Sequence, residues 1–391
     1  MYELLLIFAF LLPIAWYFGY RKGSQRADNN PAAGQLGLSK KYFTGINYLL
    51  NEEADKAIDT FVSLLEIDSE TVEPYMAVGN LYRRRGEVDR AIRIHQNLIA
   101  RPSLSTTYRK MSLMELGYDY MAAGLLDRAE NIFKELVHDQ NHKQASLKQL
   151  LLIYQQTKDW EKAIKVSEKL QINATSSLKT EIAHFYCELA ENKLFMQSPK
   201  EAIGFVKKAL AVDPNCSRAT LINGDIEYSL GRYKQAIKAY RELLRQDVEI
   251  LPEAITKITH SFRQINDKKG LIQFLEQAIS QGGGVSIILT YAEEIKNIHG
   301  DRAAGEYIAK QLAVHPSIKG LLKLIELHIK HASETARPSL VMLQEVVSKL
   351  LKNKPVYHCN HCGFDSKTLF WQCPSCKSWG SVKPIQGIEG E

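Results

Sequence analysis

Apolar residues recur along this chain at helical spacing, and within that pattern a small residue returns at a nearly constant interval. An alanine, often followed by Ile or Glu, marks each unit, and successive marks lie 33 to 39 residues apart, most often 34. Repetition at this period is typical of arrays of paired helices, so the pattern predicts an all-α array. The marks are Ala57, Ala91, Ala129, Ala163, Ala202, Ala236, Leu271 (which replaces alanine once) and Ala304.

Two further positions repeat before these marks. A small residue stands twelve positions earlier in many units, as at Gly117 and Gly224, and an aromatic residue often follows three positions after it, as at Tyr120. Small residues let two helices approach closely, and the aromatic ring fills the wedge between them. Pro214 and Pro316 fall where a unit is expected to end, because proline does not continue a helix.

An uncharged, apolar run extends from Leu4 to Tyr20, directly after Glu3. Seventeen helical residues span roughly 26 Å, near the lower limit for crossing a bilayer. Arg21 and Lys22 come after the run, whereas a secretory signal would place its cations before it. We therefore expect a membrane anchor at residues 1–20, with a buried core helix or a cleaved leader as the alternatives.

The charges after the anchor indicate its orientation. By the positive-inside tendency, Arg21, Lys22 and Arg26 keep everything that follows on the cytoplasmic side. Residues 21–37 are rich in Gly, Ser, Asn, Pro and Ala, which is typical of a flexible linker. The sequence thus predicts a single-pass membrane protein whose soluble part lies in the cytoplasm.

Four of the six cysteines form two C-x-x-C pairs separated by ten residues: Cys359, Cys362, Cys373 and Cys376. Each pair supplies two thiolates from one tight turn, so residues 355–385 are predicted to hold one tetrahedral ion, iron or zinc. Four sulfur ligands leave no open position for a substrate, which favours a structural metal. His358 and His361 are alternative ligands, but four cysteines already suffice. A redox or metal-sensing role for the site is the alternative function.

Composition narrows the function further. A formal charge of +6 over 391 residues, with cations and anions interspersed, gives no basic stripe for nucleic acid. The sequence contains no Gly-rich phosphate loop, no G-x-S-x-G elbow and no H-E-x-x-H, so we expect that the protein is not an enzyme.

The other two cysteines, Cys187 and Cys216, are isolated in the sequence and are predicted to be buried packing residues.

Partner binding in helical arrays usually uses the first helix of each pair. In the third unit the residues at i, i+3, i+7 and i+10 include three methionines, whose flexible side chains suit an adaptable surface. The same residues are alternatively packing contacts between units. The predicted partner-binding residues are Tyr42, Met76, Asn80, Met111, Met114, Tyr118 and Met121.

These features together resemble known families. The units resemble the tetratricopeptide repeat across roughly residues 38–330, within an expected array at 38–352, and the tail resembles a rubredoxin-like ribbon. The anchor ending Tyr17-Phe18-Gly19-Tyr20-Arg21 and the tail C-x-x-C-G-F…W-x-C-P-x-C make the whole chain similar to the lipopolysaccharide assembly protein B family of Gram-negative bacteria. The fold class implied is an all-α tetratricopeptide-repeat superhelix, with an N-terminal transmembrane helix and a C-terminal four-cysteine ribbon.

That resemblance also implies a function. The family consists of inner-membrane adaptors that regulate lipopolysaccharide synthesis. Its expected partners are the membrane protease FtsH, the deacetylase that commits precursor to lipid A and is degraded by FtsH, and other synthesis enzymes gathered at the membrane. It also implies that the four cysteines are the metal ligands and that the ribbon packs against the repeats. A homo-oligomer is left open.

Overall fold

The computed structural model describes residues 41–391 except 49, 52, 68–71, 171–175 and 353. The predicted anchor and linker lie outside the described residues. Among the helices that are described, none is long and apolar enough to cross a membrane. The chain divides into two compact units, the first up to Ile153 and the second from Tyr154 onward.

The first unit is helical, and its first five complete helices pack on one another in sequence order. Residues 41–48 are helical and precede the first complete helix. The following helices are α1 (Ala54–Ile67), α2 (Val72–Arg84), α3 (Val88–Ile99), α4 (Thr106–Ala122), α5 (Leu126–Leu136) and α6 (Lys143–Gln156), within which the boundary between the units falls.

The second unit continues the helical pattern and ends in a small sheet, so the all-α prediction with a terminal ribbon is confirmed. Its longer helices are α7 (Trp160–Leu170), α8 (Ser176–Phe195), α9 (Pro199–Val212), α10 (Ser217–Ser229), α11 (Tyr233–Arg241), α13 (Ile255–Gln264), α14 (Lys268–Ser280), α15 (Val285–His299), α16 (Asp301–Val314), α17 (Ile318–His331) and α18 (Arg337–Lys352). The short elements are α12 (Leu243–Gln246), a 3-10 helix (Val248–Glu253), β1 (Tyr357–Cys359), β2 (Asp365–Ser366) and β3 (Val382–Pro384).

Burial of the residues that mark each repeat confirms the predicted positions of the repeats. All eight marks, from Ala57 to Ala304 and including Leu271, have side chains that are at most 1% exposed. Pro214 and Pro316 lie between helices, as expected.

At four of the units, the small residue before the mark is a glycine with a ring lying against it. A Cβ atom on Gly117 would lie 2.7 Å from the Phe133 ring, and one on Gly224 would lie 2.2 Å from the Tyr240 ring. Both distances are shorter than van der Waals contact, so the ring from the second helix occupies the space that a side chain would need. The same relationship joins Gly45 to Phe61 and Gly79 to His95.

One unit departs from the repeat without changing its length. Helix α11 has only nine residues, and α12 and the 3-10 helix fill the distance to α13. The small position is taken by Thr259, which is buried and donates its hydroxyl hydrogen to the carbonyl oxygen of Ile255 at 2.9 Å. Leu271, Phe262 and Phe274 then form the core of this pair.

Candidate metal centre and its docking on the helices

The ribbon is an antiparallel three-stranded sheet in the order β2-β1-β3. Tyr357 pairs with Ser366 on one side and with Pro384 on the other, and Cys359 lies opposite Val382. The central strand therefore ends at the first cysteine and presents it to the turn that follows.

Backbone hydrogen bonds close a tight turn around the first cysteine pair. The N–H of Cys359 donates to the carbonyl of Phe364 at 2.8 Å, and the N–H of Gly363 donates back to the carbonyl of Cys359 at 2.9 Å. Gly363 has φ +78°, a left-handed conformation in which glycine carries no steric cost.

The second cysteine pair repeats this arrangement. The N–H of Cys373 donates to the carbonyl of Ser378 at 2.9 Å, and the N–H of Lys377 donates to the carbonyl of Cys373 at 3.0 Å. Lys377 takes the position of Gly363 and has φ +61°, which is strained for a residue with a side chain. The two turns are thus equivalent, and each aims two sulfur atoms at a common centre.

The four sulfur atoms fit a tetrahedral ion. They all lie within 4.8 Å of one another, with Cys359 and Cys376 3.8 Å apart and Cys362 and Cys373 3.6 Å apart. A tetrahedron of metal–sulfur bonds of about 2.3 Å places its sulfurs roughly 3.8 Å apart. Four thiolates match the preferences of zinc and of iron, and the donor set alone does not separate them.

Neighbouring groups prepare the thiols unequally for metal binding. Hydrogen bonds from the hydroxyl and the backbone N–H of Ser378 lower the pKa of Cys376 to about 5. Burial works to raise the pKa of Cys359, but its hydrogen bonds with Ser381 and with nearby backbone N–H groups outweigh burial and lower that pKa. Burial raises the pKa of Cys373 to about 11. Deprotonation of Cys373 therefore costs more than deprotonation of Cys376 when an ion binds.

The histidine alternative is not supported by the geometry. His358 lies on β1, where its Nδ1 is 2.7 Å from the carboxylate of Asp365, and it is outside the sulfur cluster. The described residues that converge on one ion position are the four cysteines alone.

Trp379 leaves the ribbon and enters an aromatic socket formed by the helices. Its ring centroid lies 5.1 Å from that of His184, 5.8 Å from that of Phe185 and 5.9 Å from that of Trp160. The ring therefore joins the ribbon to α7 and α8.

Gln155 anchors the same edge of the ribbon through hydrogen bonds. Its Oε1 accepts from the indole N–H of Trp379 at 3.3 Å and from the amide of Gln372 at 3.4 Å. Its own amide donates to Glu181 at 3.2 Å. The oxygen of this side chain therefore binds the ribbon, while its nitrogen binds helix α8.

Trp371 makes a second contact with the helices. The guanidinium of Arg218 lies 5.7 Å from the centre of the Trp371 ring, within the range of a cation–π interaction. Arg218 is 2% exposed and forms ion pairs with Glu188 at 2.8 Å and Glu191 at 2.9 Å, which compensate for the burial of its charge.

The insertion around α12 supplies a third set of contacts. The hydroxyl of Tyr357 donates to Glu253 at 2.5 Å, and Lys383 forms an ion pair with Asp247. Burial first, and Glu253 second, raise the pKa of Tyr357 well above its usual value. These two acids were not identified from the sequence, because the insertion does not change the repeat interval.

The segment after the ribbon ties it to later helices. The carboxylate of Glu391 accepts from the backbone N–H of Ser286 at 2.9 Å and from its hydroxyl at 2.7 Å, and it forms an ion pair with Lys319. The N–H of Ile318 donates to the carbonyl of Ile388 at 2.8 Å. The ribbon is therefore held against helices of the second unit along much of its sequence, as the family resemblance implies.

The residues predicted to bind partners differ in exposure. Met111 is 38% exposed, whereas Met114 is buried, with the hydroxyl of Ser146 3.8 Å from its sulfur. Tyr118 lies beside Phe133 and under the guanidinium of Arg83. Partner binding at this face stays a prediction. The remaining members are half-buried, namely Tyr42, Met76, Asn80 and Met121.

Family models match both the helical repeats and the ribbon. A family model described as a rubredoxin metal binding domain matches residues 357–384, and tetratricopeptide repeat models match residues 75–105 and 187–247. A solved structure, the C-terminal part of a TPR repeat-containing protein from Cytophaga hutchinsonii, aligns with a TM-score of 0.38 and 15% identity over 72% of this chain and 99% of its own.

Two curated relatives match along their whole length. Lipopolysaccharide assembly protein B of Escherichia coli (strain K12) is 39% identical over 391 residues, which cover 100% of both chains. Its namesake in Haemophilus influenzae (strain ATCC 51907 / DSM 11121 / KW20 / Rd) is 34% identical over 398 aligned positions, again covering 100% of both. With helix pairs, four-cysteine ribbon and full-length similarity in agreement, this chain belongs to the lipopolysaccharide assembly protein B family.

Proposed function

We propose that this chain is a scaffold of lipopolysaccharide assembly, in which the metal ribbon is a structural part of the protein-binding array. The docking of Trp379 between α7 and α8 is the observation that carries this proposal, because it makes the ribbon continuous with the repeats. All four sulfurs face one ion position, which leaves no ligand site for a substrate. Family membership and the tetratricopeptide repeats make the chain a scaffold rather than an enzyme.

The finer mechanism we propose is adaptor-assisted proteolysis. Residues 1–20 anchor the chain in the inner membrane with its soluble part on the cytoplasmic side. There the repeats bind the deacetylase that commits precursor to lipid A and present it to the protease FtsH; other synthesis enzymes gather on the same scaffold. A common membrane raises the effective concentration of protease and client, so modest affinities suffice.

The proposed docking surface lies on the first helix of each helix pair, within the compact unit that ends at Ile153. Met111 is the most accessible of the methionines proposed there, and the half-buried Met76 and Met121 belong to the same set. A flexible thioether surface adapts to more than one partner, which suits a protein that gathers several enzymes.

The test is the lifetime of the deacetylase in Gram-negative cells that lack their own family member. After protein synthesis is stopped, the full chain should shorten that lifetime, and a chain lacking residues 1–20 should not. Met111→Glu should lengthen the lifetime, whereas Leu230→Glu, at an exposed apolar position of the second unit, should leave it unchanged. Full activity of the truncated chain would remove the tethering argument, and equal effects of the two glutamates would remove the proposed surface.

A further inference from the structure

Helix α18 is apolar over more of its circumference than it buries. Its inner side contributes Val347, which is 5% exposed, to the contact with α17. A second row of apolar side chains, which begins about 40° from Val347 around the helix, lies open to solvent. We call this row the outer stripe; it consists of Met342, Leu343, Val346 and Leu350, which are 46 to 69% exposed.

The spacing of the outer stripe makes it one continuous surface. Its members stand at i, i+1, i+4 and i+8, which places them within about 100° of the helix circumference. Ser348 falls on the opposite side of the helix and is exposed. A soluble helix normally exposes polar residues on the side away from the core, so this second apolar side calls for a covering surface.

Lysines border the end of this stripe. Lys349 and Lys352 are exposed in the last turn of α18, and the ammonium of Lys367 lies 2.9 Å from the carbonyl oxygen of Lys352. Lys354 follows and is paired with Glu389 at 2.9 Å. With Glu345 as the exposed acid of α18 beside these lysines, the charge next to the stripe is positive.

We propose that α18 lies in the headgroup region of a bilayer containing anionic phospholipid. The outer stripe would enter the acyl boundary and the lysines would meet the lipid phosphates, as in amphipathic helices that lie in the membrane plane. Within this sixteen-residue helix, the stripe from Met342 to Leu350 gives an apolar contact about 12 Å long. The inference rests on the membrane placement in the proposed function and adds a second contact, which would fix the orientation of the second unit above the bilayer.

The composition of the stripe favours lipid over a protein partner. Protein interfaces are enriched in aromatic residues, Met and Arg and depleted in Lys, and their strongest contacts are usually aromatic or Arg anchors. The outer stripe contains one methionine but no aromatic residue and no arginine; its other members are Leu and Val, and it is bordered by lysines. Aliphatic side chains next to lysines match the acyl chains and phosphates of an anionic membrane.

The experiment uses the full chain carrying a photoreactive benzoylphenylalanine, either in place of Val346 or, as the matched control, in place of Ser348. Each chain is reconstituted into phosphatidylcholine vesicles with or without phosphatidylglycerol, irradiated, and analysed for adducts by mass spectrometry. We expect lipid adducts at position 346 that exceed those at 348 several-fold and that increase with phosphatidylglycerol. Lysines near an anionic surface contribute about fivefold each, so replacing Lys349, Lys352 and Lys367 by Gln should sharply reduce the adducts.

The other outcomes overturn the inference in distinct ways. Cross-links from position 346 to a second copy of the chain, or to another protein, would assign the stripe to a protein interface. Equal lipid adducts at 346 and 348 would exclude a preferred face. Flotation of the same vesicles reports separately whether the chain is held by membrane at all; a chain that does not float would contradict the membrane placement itself, whereas a floating chain without adducts at 346 would contradict only the role of α18.

Discussion

His184 and Trp379 lie nearly face to face, with ring centroids 5.1 Å apart and planes inclined by 23°. One ring belongs to α8 and the other follows the second cysteine turn, so this stack connects the repeats directly to the metal centre. Gly380 fits beside it, since a Cβ atom there would lie 3.3 Å from Nε2 of His184. A substitution of either ring is therefore expected to affect both the repeats and the ribbon.

Removal of the indole should loosen the ribbon. Trp379→Ala should lower the free energy of unfolding of the second unit by about 2–3 kcal/mol, somewhat less than for a fully buried aromatic residue, because Trp379 is half-buried. Urea denaturation followed by circular dichroism measures the change. Leu230→Ala, at a position that is 46% exposed, is the control and should cost less than about 1 kcal/mol. Similar losses for both variants would mean that the socket contributes little.

Metal binding should depend on the four-cysteine set alone. The intact protein should contain about one zinc or iron ion per chain, and Cys373→Ser should abolish that stoichiometry because it removes one of four ligands. Elemental analysis measures the ion, and a red, reversibly bleached absorption would identify iron and support the redox alternative. Cys216→Ala is the control: Cys216 is buried 3.9 Å from Cys187, away from the metal centre, and its loss should leave the metal content unchanged.

Acidification should weaken the second unit through His184. Burial, followed by the charges of Arg218 and Lys383, lowers the pKa of His184 to about 3, whereas an unfolded histidine titrates near 6.5. Between these values the unfolded chain binds more protons. The stabilisation is therefore complete above about pH 6.5 and is lost as the pH falls toward 3, with about 2 kcal/mol lost between pH 7 and pH 5.

His184→Phe isolates this effect, because phenylalanine keeps a ring in the stack and does not titrate. The free energy of unfolding of the two proteins should be measured at several pH values, and the variant should show the smaller loss on acidification. Parallel pH profiles would mean that carboxylates elsewhere account for the whole dependence.

Replacing each of two helical glycines by alanine should change the stability of the protein in opposite directions. Gly224→Ala places a Cβ 2.2 Å from the Tyr240 ring and should destabilise the protein by about 1–3 kcal/mol through overpacking. Gly204, inside α9, has nothing within 4 Å of such an atom, so Gly204→Ala should stabilise by about 0.5–1 kcal/mol through helix propensity. Thermal unfolding of both variants checks the signs. A neutral Gly224→Ala would show that the ring moves aside freely.

Substitutions at the left-handed position of the two cysteine turns should change the stability of the metal-bound ribbon in opposite directions. Lys377→Gly relieves a left-handed conformation and should stabilise the metal-bound ribbon by about 1 kcal/mol. Gly363→Ala introduces that same strain and should destabilise it. The rate at which a chelator removes the ion reports both effects, slower for the first variant and faster for the second. Equal rates would mean that release does not require the turns to open.

The helical register and the cysteine cluster were predictable because their signals are local and repeated. Gly117 and Phe133 lie in one unit at a separation that recurs, and two C-x-x-C pairs define their own centre. The docking contacts were not predictable in this way. Gln155 and Trp379 are 224 positions apart, and no spacing in the sequence relates them.

Two other features were not predictable because they leave the regular spacing of the sequence unchanged. The insertion that carries Asp247 and Glu253 replaces part of a shortened helix, so the interval between Ala236 and Leu271 stays close to the repeat length. Met111 and Met114 follow one helical spacing, yet one is accessible and the other is covered by Ser146. Helical spacing shows which residues share a side, but not which neighbour covers that side.

The separation of Gln155 from Trp379 has a consequence for biogenesis. The ribbon is synthesised long after the helices it covers, so the aromatic socket around Trp160 and Phe185 remains uncovered on the ribosome until the tail emerges and acquires its ion. A truncated chain, or one made under metal starvation, would keep this apolar surface exposed to chaperones and proteases. Burial of the socket around Trp160 and Phe185 therefore depends on the last part of the chain to be synthesised.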